Sequence, residues 1–160
     1  MNPADGNGYR GLVTTRPKAD PHLVGHPNES ANDQPAPGWA PIATEISSRL
    51  PFSPAVEANG FVFVSGQASV DDKGVVVPGT FDEEMRRSFA NVESILASAG
   101  LTLRDVVRVT SYLQDADDGP RYNELYGEYF TAPFPARTTI SNCLPPTLKF
   151  EVDVIAVRPS

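Results

Sequence analysis

Cysteine is nearly absent from this chain: Cys143 stands alone among 160 residues. A single thiol excludes an intrachain disulfide and, with it, the small secreted scaffolds that depend on such bridges. No apolar run approaches the roughly 20 residues that a membrane-spanning helix needs. The opening MNPADGNGYRG lacks the basic-then-apolar layout of a signal peptide, so the expected setting is the cytoplasm. Basic residues are scarce, 13 Lys and Arg against 20 Asp and Glu, for a net charge of -7. That balance argues against nucleic acid or an anionic membrane as partner, because phosphates reward clustered cations. Histidine is limited to His22 and His26. Their i, i+4 spacing suits a helical metal site, but Pro21, Gly25 and Pro27 forbid a stable helix and no third ligand is near. No metal and no organic cofactor is expected.

Proline is plentiful, with 16 residues, and seven of them (Pro3, Pro17, Pro21, Pro27, Pro35, Pro37 and Pro41) fall before residue 45. Residues 1–44 alternate these with Gly, Asn and Asp, and no apolar period of 2 or 3.6 survives. Such a stretch buries too little apolar area to offset about 1–2 kcal/mol of backbone entropy per residue. It reads as a mobile arm, docked through Trp39 or wrapped on a neighbouring subunit. Residues 45–160 read as one folded domain.

Regular signals begin there. Phe61-Val62-Phe63-Val64 is a β-rich run ending at Ser65-Gly66-Gln67, and Val75-Val76-Val77 is a second, shorter candidate strand. Thr80-Phe81-Asp82-Glu83 has capping-box form. Met85, Phe89, Val92 and Leu96 then share a helical stripe, and Gly100 supplies the stop. Asp105 to Gln114 alternates as a strand should. A second helix follows Asp118-Gly119-Pro120, with Tyr122, Leu125, Tyr126, Tyr129 and Phe130 as its apolar stripe. Arg137 to Cys143 and Leu148 to Val157 are two further strands. This order predicts an α+β fold, a mixed sheet with two helices packed on one face. The other face would be bare, and apolar residues there invite self-association.

Several motifs look chemical and fail on context. Gly6-Asn7-Gly8-Tyr9-Arg10-Gly11 matches a dinucleotide fingerprint without the strand and helix that give it meaning. Asn28-Glu29-Ser30 is a glycosylation sequon relevant only to a secreted protein. Asp115 to Gly119 lacks the alternation of a calcium loop and reads as a turn with a helix cap. Cys143 has no histidine partner in the folded part, and no Ser-His-Asp set exists. What remains is polar chemistry on otherwise apolar strands. Arg137 opens one strand; Glu151 lies between Phe150 and Val152, on the face opposite them. Adjacent strands would bring this guanidinium and carboxylate together or to one shared cleft. A surface ion pair, worth about 0–1 kcal/mol, is the plainer reading of the spacing.

From Pro51 to Pro159 the chain resembles the RidA (YjgF-type) family of imine/enamine deaminases. The resemblance rests on ordered stretches: Pro51 to Val56, Phe61 to Gln67, Asn91-Val92, Ala99-Gly100-Leu101, Asp105 to Thr110, Tyr122 to Tyr126, Phe134 to Thr138 and Phe150 to Val157. It implies a chorismate-mutase-like fold, a trimer with the sheets forming an inner barrel, and clefts between subunits. It places the substrate-carboxylate contact at Arg137 and the catalytic carboxylate at Glu151. Gly66 and Asn123 would line or support the cleft. Phe52 replaces a frequent tyrosine, and Thr139 replaces a cysteine found in several members. The implied activity is hydrolysis of 2-imino or enamine acids to 2-keto acids and ammonia, without a cofactor. Three other readings are a non-catalytic module that binds small carboxylates, a deaminase of a pathway-specific enamine, and a ribonuclease or translation-inhibiting role. The last fits poorly with a charge of -7.

Overall fold

A computed structural model describes residues 38–45 and 50–159. The chain divides into two units, 1–36 and 37–160, and the description concerns the second. The dinucleotide-like motif, both histidines and the sequon lie outside the described residues.

Six strands form one mixed sheet in the order β1-β2-β3-β6-β4-β5. They are β1 (Ala40–Pro41), β2 (Ala55–Ala58), β3 (Phe61–Ala68), β4 (Val106–Leu113), β5 (Ala136–Ser141) and β6 (Phe150–Val157). Helix α1 (Phe81–Ser98) crosses from β3 to β4 and α2 (Gly119–Tyr129) from β4 to β5. All pairings are antiparallel except β4 with β5. A parallel pair needs a crossover, and α2 provides it. The α+β reading, a mixed sheet with two helices, is therefore correct.

Both helices lie on one face. Strand β6 alternates without interruption: Phe150, Val152, Val154 and Ala156 are buried while Glu151, Asp153, Ile155 and Val157 are not. The inward set meets Met85, Phe89, Val92 and Leu96 of α1, all with no exposure. Phe89 stacks on Tyr129 at 4.1 Å and so joins the two helices. The opposite face carries Phe61 and Phe63, each 41% exposed, and Ile140 at 42%. Among the described residues that face has no covering layer, as the strand pattern predicts.

Local chemistry explains the boundaries. Thr80 and Glu83 form a reciprocal capping box. Gly100, with φ 72°, ends α1 while Gly100 and Leu101 donate to the carbonyls of Ala97 and Leu96, a Schellman closure. Differences from the sequence expectation are informative. β2 was not anticipated; it pairs with β3 through Asn59-Gly60, whose φ of 51° and 79° suit a type I′ hairpin. Val75–Val77 makes only a single bridge, Val70 to Val76, because the Lys73-Gly74 turn leaves no length for a ladder. Ser65-Gly66-Gln67 continues β3 to Ala68 rather than ending it. Asp118 makes no side-chain cap; Asp115 caps the short 3-10 turn before α2 instead. Ala40–Pro41, within the stretch read as an arm, adds an edge strand to β2.

Candidate functional site

Sheet register separates the two residues of greatest interest. Arg137 pairs with Val109 and Thr139 with Ser111. Val109 and Ser111 are fully buried under the helices. Residues paired across a ladder share a face, so Arg137 and Thr139 lie on the helix side. Glu151 pairs with Tyr112, three residues beyond Val109 and on the other face. β4 also stands between β5 and β6. The expectation that adjacent strands would bring Arg137 and Glu151 together within one chain is therefore corrected. They occupy opposite faces of the sheet.

Two side-chain clusters result. In the first, Arg137 Nη2 donates to Asn123 Oδ1 at 2.9 Å. Its guanidinium carbon lies 4.9 Å from the Tyr122 ring centre and 4.7 Å from that of Tyr126. Those rings meet edge to face at 5.6 Å, so the cation sits in the corner of an aromatic pair. Tyr122, Asn123 and Tyr126 occupy one turn of α2, which is why a single helix supplies all three contacts. The Tyr122 hydroxyl is 2.8 Å from Ser111 Oγ. Burial pushes the Tyr122 phenol up, opposed by the Ser111 hydrogen bond and by Arg137 and Thr139. Burial likewise pushes Tyr126 up to about 12. Arg137 and Thr139 are exposed, so the guanidinium keeps one dry face and one open edge.

The second cluster pairs Glu151 with Gly66, and Phe52 lies on the loop before β2. β3 bulges between Val64 and Gln67, where Ser65 and Gly66 together oppose Asp153 of β6. A Cβ on Gly66 would collide with Glu151 Oε1 and stand 3.1 Å from its Cδ. Glycine is needed because the carboxylate occupies the space a side chain would fill. Ser65 ties the neighbouring loop down, donating through Oγ to the Ser53 carbonyl at 2.7 Å and through its amide to that of Pro54 at 2.9 Å. Phe52, 46% exposed, stands on that loop. Burial, then the charge of Asp153, pushes the Glu151 carboxyl up. No hydrogen bond or ion pair reaches the Glu151 carboxyl among the described residues. Asp153 itself accepts from Tyr112 at 2.8 Å, a contact that pushes the phenol up to about 12.

Of the residues singled out beforehand, Arg137, Asn123 and Thr139 form one group and Glu151 and Gly66 the other, with Phe52 on the loop before β2. Sequence reasoning missed Ser111 and Asp153, and it assigned Tyr122 and Tyr126 to the apolar stripe alone. Their signal was faint: two phenols at i and i+4 flanking an asparagine. Two concavities among the described residues lie elsewhere, around Leu103, Arg104 and Tyr129. Among the described residues, no group of three or more His, Cys, Asp or Glu is placed to hold a metal. No described helix is long and apolar enough to cross a membrane.

A family model described as Endoribonuclease L-PSP matches residues 42–158. The chain belongs to this L-PSP (YjgF/RidA/RutC) family. A RutC family protein of Pyrococcus horikoshii is 38% identical over 110 residues, 68% of this chain and 87% of that protein. A 2-iminobutanoate/2-iminopropanoate deaminase of Dermatophagoides farinae is 31% identical over 109 residues, 67% of this chain and 85% of that protein. Among solved structures, RidA from an Antarctic Psychrobacter superposes with a TM-score of 0.68 at 28% identity, covering 74% of this chain and 99% of that one. E. coli TdcF with bound serine gives 0.67 at 31%, covering 75% of this L-PSP family chain and 99% of that one.

Proposed function

We propose that this L-PSP family protein is a cofactor-independent hydrolytic deaminase of 2-imino and enamine acids, acting in the cytoplasm as a homotrimer. Its clefts would form where the Arg137 half-site of one subunit meets the Glu151 half-site of the next. The observation that carries this reading is the division of the site residues between two sheet faces. Neither half has both an anion clamp and an acid–base group, and a second copy supplies the missing half. The bare face bearing Phe61, Phe63 and Ile140 is the apolar surface on which copies would associate.

In such a cleft, the open edge of Arg137 offers parallel N–H donors to a carboxylate, held in place by Asn123 and the two rings. The substrate's C=N carbon then faces Glu151. A carboxylate there accepts a proton as water adds to that carbon and delivers one to the nitrogen. The hydroxyl proton of the resulting carbinolamine passes through the same carboxylate to the nitrogen, the C–N bond breaks, ammonia leaves, and the carbon keeps the oxygen as a 2-keto acid. The raised Glu151 carboxyl suits this work, because acid–base help is most effective when the pKa approaches the working pH. Such help typically contributes about 10²–10⁴-fold. Gly66 would give the carboxylate room, while Phe52 and Thr139 would border the substrate from opposite subunits. The named deaminase relative and the serine-bound structure, whose ligand carries a carboxylate, support the substrate class.

A ribonuclease role, suggested by the family description, finds little support here. The net charge is -7, and Arg86, Arg121 and Arg158 are engaged with Asp82, Glu128, Glu124 and Glu57. A 2-imino acid generated freshly by an amino-acid oxidase tests the proposal. Wild type should accelerate its hydrolysis and Arg137→Ala should not, while remaining folded; equal rates for the two would remove the clamp and the reading with it.

A further inference from the structure

The guanidinium of Arg137 is held from beneath by a small assembly of side chains from β4 and α2. Ser111 of β4 has no exposure and Tyr122 of α2 only 1%, and their hydroxyls are 2.8 Å apart. This is a buried polar contact between the sheet and α2, next to Thr139, the ladder partner of Ser111. A buried hydroxyl pair in an apolar layer costs stability unless both members are satisfied, and two apolar side chains would pack there at least as well. Its position explains its use. The bond fixes the Tyr122 ring against β4, and that ring together with Tyr126 forms the corner in which the guanidinium sits. Asn123, the intervening residue, holds Nη2. Two ring faces and one amide thus define the plane of a cation whose opposite edge is open.

We infer that Tyr122, locked by Ser111, is a positioning residue for Arg137: it sets the plane of the guanidinium and so aims the free donors at the substrate carboxylate. A guanidinium on an exposed strand otherwise samples many rotamers, and each must be given up on binding. The Ser111–Tyr122 contact makes part of that sacrifice during folding, before any ligand arrives. Tyr122 does not touch the reacting atoms, so its loss should weaken carboxylate binding more than it slows the chemical step.

The inference rests on the Arg137 clamp proposed above, and two independent readouts separate the failure of one from that of the other. The first is the Arg137 Nε–H resonance of 15N-labelled full-length protein, identified by its disappearance in Arg137→Lys. The ring currents of Tyr122 and Tyr126 should displace it upfield without any ligand. The second is calorimetric titration with 2-oxobutanoate, a 2-keto acid. Tyr122→Phe and Ser111→Ala should each shift or broaden the resonance and raise the Kd about fivefold, the scale of one lost hydrogen bond. The double variant should lose no more than either single one, since both break the same contact. In the imine assay, KM should rise with kcat within about twofold. An unchanged resonance and a wild-type Kd in both variants would overturn the inference. If wild type fails to bind 2-oxobutanoate, the functional reading falls, and the resonance alone decides whether Tyr122 positions Arg137. Should Tyr122→Phe fail to fold, Ser111→Ala carries the same test.

Discussion

At the scale of single residues, Gly66 and Glu151 make the sharpest case. The obstacle to a Cβ at Gly66 is the tip of a flexible side chain rather than backbone. Gly66→Ala should therefore leave the melting temperature close to wild type while displacing the carboxylate. Imine hydrolysis should fall by at least about tenfold, because small misplacements of a catalytic group are costly. A melting-temperature and rate comparison checks both halves of that statement. Glu151 also makes a pH prediction. Its carboxyl is pushed up by burial and then by Asp153, so the native state holds the proton more tightly than the unfolded chain. Native stability is favoured below the unfolded value of about 4.3 and declines as pH rises through the higher folded pKa. Glu151→Gln should accordingly be more stable than wild type near neutrality, with the difference vanishing in acid; denaturant unfolding at several pH values measures it. The acid limb of the wild-type kcat/KM should lie above the ordinary carboxylate range. Arg137 and Glu151 were legible as residue types, since charge on an apolar strand stands out. Their separation was not, because which strands are neighbours depends on contacts remote in sequence.

At the scale of elements, α1 was nearly fully written in local signals: the Thr80 capping box, the apolar stripe and Gly100 agree with one another. β2 was missed although Asn59-Gly60 is a strong hairpin signal, since the four residues Ala55–Ala58 are too short to show a period. Val75–Val77 erred the other way: β-branched composition predicts a strand only where a partner edge is available. One buried carboxylate also escaped notice. Glu84 on α1 has no exposure; it accepts from the Gly79 amide at 3.1 Å and the Lys149 amide at 2.7 Å. It thereby fastens the start of α1 to the entry of β6, the strand that bears Glu151. Replacing it with alanine strands two amides, and each unsatisfied donor costs about 1–3 kcal/mol. Urea titration of Glu84→Ala should show a midpoint well below wild type, with Glu84→Gln losing less because it keeps one acceptor.

At the scale of the whole molecule, the described residues pack one sheet face under two helices and leave the other face without a covering layer. Phe61, Phe63, Ile140 and Ile155 on the bare side read as an interface, and light scattering should find a species three times 17.2 kDa. The position of that face was legible from strand alternation alone. The placing of Arg137 and Glu151 on opposite sheet faces was not, because it follows from sheet order and register; the proposed cleft would divide them between subunits. Complementation between defective subunits tests the division most directly. Arg137→Ala and Glu151→Gln proteins, each inactive alone, are unfolded together in equal amounts and refolded as mixed trimers. If Arg137 and Glu151 act from neighbouring subunits, a cleft receives both intact residues by chance about one time in four, so the mixture should recover about a quarter of the wild-type rate. If both act from one chain, every cleft keeps one defect. A mixture as inactive as its components, with mixed trimers shown to have formed, would contradict the account.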